Sequence, residues 1–537
     1  NCSAGNDTRY MYAELKIKTA YMELVSRGKP DISMSGIALR EMIPGTCMRN
    51  LNKKGNRSDR MNFTLKEIAE ACRGKLVLQG ASGDENCSVS SVVIDSRLVE
   101  PGGVFIATQG ERVDGHIFIS YAFAKGAVLA VTQKSPEQVK AEHGPLPGWG
   151  SYLLVEDTLQ ALKDMAEAYR KKLAVKIVGI TGSVGKTSTK EFIAGVLAEK
   201  YQVLKTEGNF NNEIGVPLTL LRIRPEHEVA VVEMGISDFG EMHRLSKMAR
   251  PDICVMTNIG QSHLNNLKDR DGILRAKSEI FDFMAENGEI CLNGEDDKLA
   301  GLKEIKGHIP HFFGLGNHPG EEASVTDIIG NGLEGSDAVL LMKRREGEPV
   351  RQPVHIPLPG RHMALNAAAA ACVAGLLDLS AGEIAAGIEK VGLMAGRTNV
   401  LRLPRYTLID DCYNANPASV KAAIDLLAQA DTIKVAILGD MLNLGENSHR
   451  YHQEAGSHAA ALGIEHILCV GEESRHMFWA AANNAEETTK ISHYPDTETL
   501  LRSLASDCGE LVPEGSTVLI KASHDMGFAK VLEFLRS

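Results

Sequence analysis

A lysine followed by a hydroxyl residue at the head of a helix, after a glycine turn, is a device for holding phosphate. Thr181-Gly182-Ser183-Val184-Gly185-Lys186-Thr187-Ser188 has that form. Residues 175–180 before it are apolar and read as a buried strand, and residues 189–200 after it carry the apolar spacing of a helix. A turn between such elements leaves backbone N–H groups exposed at the positive end of the helix dipole, where a polyphosphate would sit. Lys186 would reach the outer phosphates, and the Thr187 hydroxyl would face a magnesium ion. The common phosphate-loop pattern wants glycine five residues before Gly185, but that position is Ile180. The Lys-Thr pair therefore carries the reading, which is an ATP site served by Mg²⁺.

Further groups could complete such a site. Residues 229–233 form an apolar run ending in Glu233, the arrangement that sets one carboxylate beside a phosphate-loop magnesium. The alternative is a helix-capping Glu. Residues 252–260 form a second buried run, with His263 just beyond its carboxyl end, where open α/β sheets bind ligands. Magnesium prefers oxygen, so a hydrogen-bonding His263 stands as an equal alternative to a metal ligand. Lys277, in Arg275-Ala276-Lys277, is a helix lysine whose ordinary role is a salt bridge; carbamylated by CO₂ it would become an anionic metal ligand. His362 and Asn366 open an alanine-rich segment where a flat base could approach and Asn366 could read its edge, or where two helices could simply pack closely. Asp95-Ser96-Arg97, upstream, could hold a phosphorylated ligand through the guanidinium or be a surface turn with a capping Asp.

These groups need a scaffold of several α/β layers. The chain has 537 residues, 44% of them hydrophobic and 24% charged, which suits about three soluble domains. The reading divides it into a polar extension (1–60), a small α/β part (61–155), a central parallel-sheet part with the phosphate loop (156–396) and a C-terminal Rossmann-like α/β part (397–537). Thr64 is a plausible cap for a helix that follows Met61. In the last part, residues 407–410, 435–438, 466–470 and 517–520 read as strands. A net charge of −11 argues against a nucleic-acid surface. Ten cysteines without a C-x-x-C pair suit reduced thiols in a cytoplasm, and no apolar run is long enough to cross a membrane. A cytoplasmic monomer without nucleic-acid or membrane partners is expected.

Three longer motifs make a family visible: residues 209–217 (Asn-Phe-Asn-Asn-Glu-Ile-Gly-Val-Pro), residues 410–417 (Asp-Asp-Cys-Tyr-Asn-Ala-Asn-Pro) and residues 439–445 (Gly-Asp-Met-Leu-Asn-Leu-Gly). From Met61 onward the chain resembles the Mur ligases, ATP-dependent amide ligases of bacterial cell-wall synthesis. The Tyr413-Asn414-Ala415-Asn416-Pro417 run is similar to the branch that joins D-Ala-D-Ala to UDP-MurNAc-tripeptide through an acyl phosphate. The Asp-Asn-Pro-Arg motif of the branch that adds the third residue is absent, as is the folylpolyglutamate synthase signature. The resemblance implies nucleotide contacts from Arg397 and Asp411, adenine contacts from Asn366, and a second magnesium at His263, to which a carbamylated Lys277 would also bind. It implies a tripeptide channel at Asn209, Asn211 and Asn212, and a UDP-sugar site at Asp95, Ser96 and Arg97. Tyr413, Asn414, Asn416, Lys521 and Ser523 fall to the substrate side. One departure stands out: the family's Lys-Gly-Ser-Arg is here Lys521-Ala522-Ser523-His524, so the turn is expected to do without glycine. A phosphotransferase or hydrolase on the same loop is the competing reading.

Overall fold

The computed structural model describes residues 60–79, 84–110, 113–144, 150–261, 263–343, 348–392 and 396–537. Nearly all of the expected extension, residues 1–59, lies outside the described residues. Among the described residues the chain builds three sheets in succession.

The first sheet runs in the order Lys75–Val77, Ser151–Leu154, Leu129–Thr132, Val104–Ile106, Val92–Val93, parallel except where Lys75–Val77 pairs antiparallel at one edge. Thr64 caps the preceding helix, Leu65–Cys72, in a capping box with Glu67. The helix Thr158–Arg170 follows; Asp157 starts it by accepting from the Leu159 and Gln160 amides. Its buried Ala161, Leu162, Met165 and Tyr169 join Val104 and Leu129 of the first sheet and Ile177 and Ala230 of the second in one continuous core.

The second sheet carries the phosphate loop. Its parallel part runs Val203–Lys205, Val229–Glu233, Lys176–Thr181, Ile253–Met256, Glu289–Asn293, His311–Gly314, Glu321–Gly330. Val229–Glu233 and Ile253–Met256 are buried along their whole length, which is why they read as unbroken apolar runs rather than alternations. Two antiparallel strands, Ser336–Met342 and Val350–Ile356, extend the far edge. They add a hairpin to the parallel sheet expected from sequence.

The third sheet runs Asn399–Arg402, Thr407–Asp410, Thr517–Lys521, Lys434–Gly439, His466–Val470, Lys490–Tyr494, parallel apart from its first pair. The first and last strands were not anticipated. Both are edge strands with half-polar sequences, and they lack the apolar run that marks the interior ones.

The helix expected at residues 189–200 is found at Lys186–Leu197. Apolar periodicity begins only at Thr189, but Gly185 at φ 80° starts the helix one residue before Lys186. Lys186 and Thr187 are thus its first residues. The helix packs against Arg361–Leu376 and Ala381–Glu389. At the second contact Gly387 lets the chains approach so closely that a Cβ there would sit 2.6 Å from Val196 Cα. Gly387→Ala should therefore lower stability by about 1–3 kcal/mol, the usual cost of overpacking. Urea denaturation measures it, and an unchanged midpoint would refute the close contact.

Candidate active site

The phosphate loop is tied down by the strand beside it. Thr257 and Asn258 follow the strand Ile253–Met256. The Thr257 hydroxyl donates to Val184 O (2.7 Å), and the Asn258 amide brackets Val184, accepting from its N–H (2.9 Å) and donating to its carbonyl (3.0 Å). The Ser183 N–H donates to Asn258 O, and Ser183 Oγ accepts from the Gly260 N–H. Gly182 has φ 152°, and a Cβ there would fall 1.9 Å from Thr257 Oγ1, so any other residue would push the two loops apart.

No side chain caps the helix Lys186–Leu197. Its first N–H groups are therefore left at the wall of a cavity of about 1020 Å³ that Ser183 to Thr189 line. Lys186 folds over the loop and donates to Gly182 O (2.8 Å). Burial lowers its pKa, Glu233 opposes that, and Arg397 adds to it.

Glu233 ends its strand at the same wall and is 1% exposed. Asn211 Nδ2 donates to its Oε1 (2.8 Å), whereas its Oε2 is buried without a hydrogen-bond partner. An orphaned carboxylate oxygen beside a phosphate loop is a fit for a hard divalent cation. Among the described residues no group of three or more His, Cys, Asp or Glu could hold a metal. The site thus suits Mg²⁺, which takes one or two protein ligands plus phosphates and water, rather than a metal that needs a protein cage. The Thr187 hydroxyl accepts a long hydrogen bond from Arg397 Nη2 (3.4 Å). His263 also lines the cavity, in the left-handed region at φ 55°. Burial, then the cations Lys277 and Lys186, push its pKa down to about 4, so its imidazole is neutral and able to act as a ligand.

The third sheet closes the other side. Asp411 Oδ2 accepts from Lys521 Nζ (2.7 Å), which also donates to Asn414 O (3.0 Å). Asp411 Oδ1 accepts from the Thr398 N–H, and Arg397 stacks on Tyr413 at 4.1 Å from the ring centroid. Asn366, at the start of the alanine helix, accepts from the Thr189 hydroxyl (2.9 Å). His362 sits nearby; burial lowers its pKa, with Asp411 opposing and Lys521 adding.

One cavity thus brings together Ser183 to Ser188, Asn209, Asn211, Asn212, Glu233, His263, His362, Asn366, Arg397, Asp411, Tyr413, Asn414, Asn416 and Lys521. Thr181, Gly182, Lys277 and Ser523 are not among its lining residues. Several amides do local work. Asn212 accepts from the Ile214 and Gly215 amides, and Asn416 caps the helix Pro417–Leu427. Asn209 is exposed. Asp95, Ser96 and Arg97 are also outside the cavity lining: Asp95 caps the short helix Ser96–Leu98 and pairs with the exposed Arg97 at 2.7 Å. Ser523 Oγ accepts from the Leu442 N–H, and Ala522 has no positive φ. The turn does without glycine at 522; the close approach falls on Gly439, where a Cβ would lie 2.7 Å from Ala522 Cβ. Thr257, Asn258 and Lys190 were missed. For the first two, the signal was a polar pair directly after an apolar strand. For Lys190 it was a lysine among the buried residues of a helix.

The family descriptions that match agree with this layout: Mur ligase family, catalytic domain, at residues 88–170; Mur ligase middle domain at 180–374; and Mur ligase, glutamate ligase domain, at 396–524. The UDP-N-acetylmuramoyl-tripeptide–D-alanyl-D-alanine ligase of Bacillus subtilis (strain 168) is 32% identical over 475 residues, 88% of this chain and 98% of that protein. The chain belongs to the Mur ligase family. The ligase of the same name from Escherichia coli (strain K12) is 31% identical, covering 89% of this chain and 99% of its own. Among solved structures, MurF from Acinetobacter baumannii matches with TM-score 0.75 at 31% identity, over 89% of this chain and 99% of that one. MurF ligase from Thermotoga maritima in complex with ADP matches with TM-score 0.68 at 28% identity, over 83% and 97%.

Two outcomes follow from the buried charges of this Mur ligase cavity. Lys521 is 1% exposed on its side chain and Asp411 12%. Asp411→Asn would leave the ammonium unpaired and should cost roughly 3–5 kcal/mol in chemical denaturation; a loss under ~1 kcal/mol would contradict the pairing. His263 has a folded pKa of about 4 against an ordinary 6.5. The unfolded chain therefore binds more protons between these values. The His263 contribution to stability is complete above pH 6.5 and declines as pH falls toward 4. Thermal melts of His263→Asn across that window should show a shallower pH dependence than the parent, and equal slopes would refute the depressed pKa.

Proposed function

We propose that the chain is an ATP-dependent, ADP-forming ligase that joins D-alanyl-D-alanine to UDP-N-acetylmuramoyl-tripeptide. The observation that carries the reading is the cavity. A phosphate loop, a carboxylate with a free oxygen and the third sheet face one space of about 1020 Å³, where a nucleotide and the reacting ends of two further substrates can meet. The relatives that bear this activity in their names match nearly end to end.

The tripeptide carboxylate attacks the γ-phosphorus of ATP, the bond to the bridging oxygen breaks, and ADP leaves. The resulting acyl phosphate is attacked by the free amine of D-Ala-D-Ala. A tetrahedral intermediate forms, the C–O bond to phosphate breaks, and the nitrogen gives up its proton as the amide is made. Lys186 neutralises the transferring phosphoryl group, assisted by the open N–H groups of the helix start. Thr187 and Glu233, with His263 at a second position, would hold Mg²⁺, which supplies charge neutralisation to the phosphates when bound. Arg397 reaches Thr187 from the third sheet and so couples closure of that layer to the phosphate end of the nucleotide. Asn366 and His362 face the base, and Asp411, held by Lys521, the rest of the nucleotide. Asn209 offers a free amide to the peptide, while Asn211, Asn212 and Asn416 shape its wall. Tyr413, Asn414 and Ser523 belong to the same substrate side, and Asp95, Ser96 and Arg97 to the UDP-sugar end. Closure excludes water, without which the acyl phosphate would hydrolyse. The three working parts are 61–155, 156–396 and 397–537. In this reading the enzyme works in the cytoplasm as a monomer.

Lys277 is 2% exposed and meets no hydrogen-bond or ion-pair partner among the described residues. Burial, and then the charge of Lys186, hold its pKa well below the usual lysine range. A neutral amine in that setting can bond to CO₂ and lose a proton, giving an anionic carbamate for the second magnesium. Lys277→Ala should fall strongly in activity and regain part of it with acetate or formate. Rescue by alkylamines instead would assign Lys277 the role of a cation.

ADP release measured with the tripeptide, with and without D-Ala-D-Ala, tests the whole reading: turnover should need both. ATP consumption with neither present would favour a hydrolase. Lys186→Ala should remain folded and lose on the order of 10³-fold or more in turnover; near-normal turnover would remove the loop from the mechanism.

A further inference from the structure

The helix that begins with Lys186 carries a second buried lysine one turn on. Lys190 is 1% exposed, and its ammonium donates to Thr206 O (2.8 Å). It stands 3.1 Å from Glu191 Oε1 and 4.0 Å from Glu233 Oε2, the oxygen that no hydrogen bond satisfies. Thr206 ties the same corner together: its hydroxyl accepts from the Glu233 N–H (3.0 Å). Glu191 also pairs with Lys205, so part of its charge is already answered. Lys190 is thus a positive charge set just beyond hydrogen-bonding distance of the Glu233 oxygen that no hydrogen bond satisfies.

We propose that Lys190 is a placeholder counter-ion for the divalent cation. It balances Glu233 in the metal-free protein, and it lowers the affinity of this corner for free Mg²⁺. The ion would then enter with the nucleotide, whose phosphates supply the negative charge that Lys190 offsets. A distance of 4.0 Å suits this role. A direct hydrogen bond would occupy the oxygen, whereas a charge one step back stabilises the carboxylate and leaves its lone pairs open. Lys190 is a positioning residue that acts through Glu233. The inference rests on reading Glu233 as a metal ligand.

Calorimetric titration of Mg²⁺ into the nucleotide-free protein, beside thermal melts with and without Mg²⁺, tests it. Lys190→Met should bind free Mg²⁺ on the order of tenfold more tightly than the parent, since a nearby like charge is removed. It should melt lower without metal and recover with it, while Lys190→Arg keeps the parent's weak binding. The Lys190→Met/Glu233→Gln double variant, lacking both charges, should be more stable without metal than Lys190→Met alone. This comparison holds even if the single variant folds poorly. Unchanged Mg²⁺ affinity in Lys190→Met, or a double variant no more stable than the single, would overturn the proposal. If the parent with ATP also binds no Mg²⁺, the metal reading of Glu233 is what fails.

Discussion

The site depends on how closely two loops can cross. Gly182 passes so near Thr257 that a single added carbon would collide with the hydroxyl. That contact lets Thr257 and Asn258 hold Val184 by its N–H and its carbonyl. With Val184 fixed, Gly185 can turn left-handed and the helix can start uncapped at Lys186. Its free N–H groups, Lys186 and Thr187 are then presented without any side chain in the way. A side-chain cap would take up one or two of those donors and stand in the way of phosphate.

Charge in the cavity follows from this geometry. Lys186 and the buried Lys190 face the Glu233 carboxylate, and the buried Lys277 lies within reach of the Lys186 charge. Each is handled differently. Lys186 leans on loop carbonyls that a phosphate can replace, Lys190 is pinned to Thr206, and Lys277 meets no partner among the described residues. The positive charge of Lys186 and Lys190 suits triphosphate and carboxylate ligands together. Burial is the first cause of the neutral His263, and the neighbouring lysines 277 and 186 add to it.

Much of this was legible in sequence because it depends on neighbours along the chain. The phosphate loop, the carboxylate ending Val229–Glu233 and the run before His263 are strand ends, and unbroken apolar strands are easy to see. The hairpin strands Ser336–Met342 and Val350–Ile356 were not, since one-sided burial leaves a mixed pattern. Long-range pairings were also invisible. Nothing in the residues around Asn366 shows that it meets the Thr189 hydroxyl, and nothing around Asn258 shows that it clamps Val184. At Ala522 the sequence shows a turn without glycine, but not where the room for it lies: that is at Gly439, on a neighbouring strand.

The central claim is that this cavity converts a carboxylate into an acyl phosphate before the amine attacks. Turnover with tripeptide carrying heavy oxygen in its reacting carboxylate tests that directly. The account predicts that one labelled oxygen leaves with the released phosphate in every turnover, detected by mass spectrometry or phosphorus NMR. Product formation with unlabelled phosphate would contradict it.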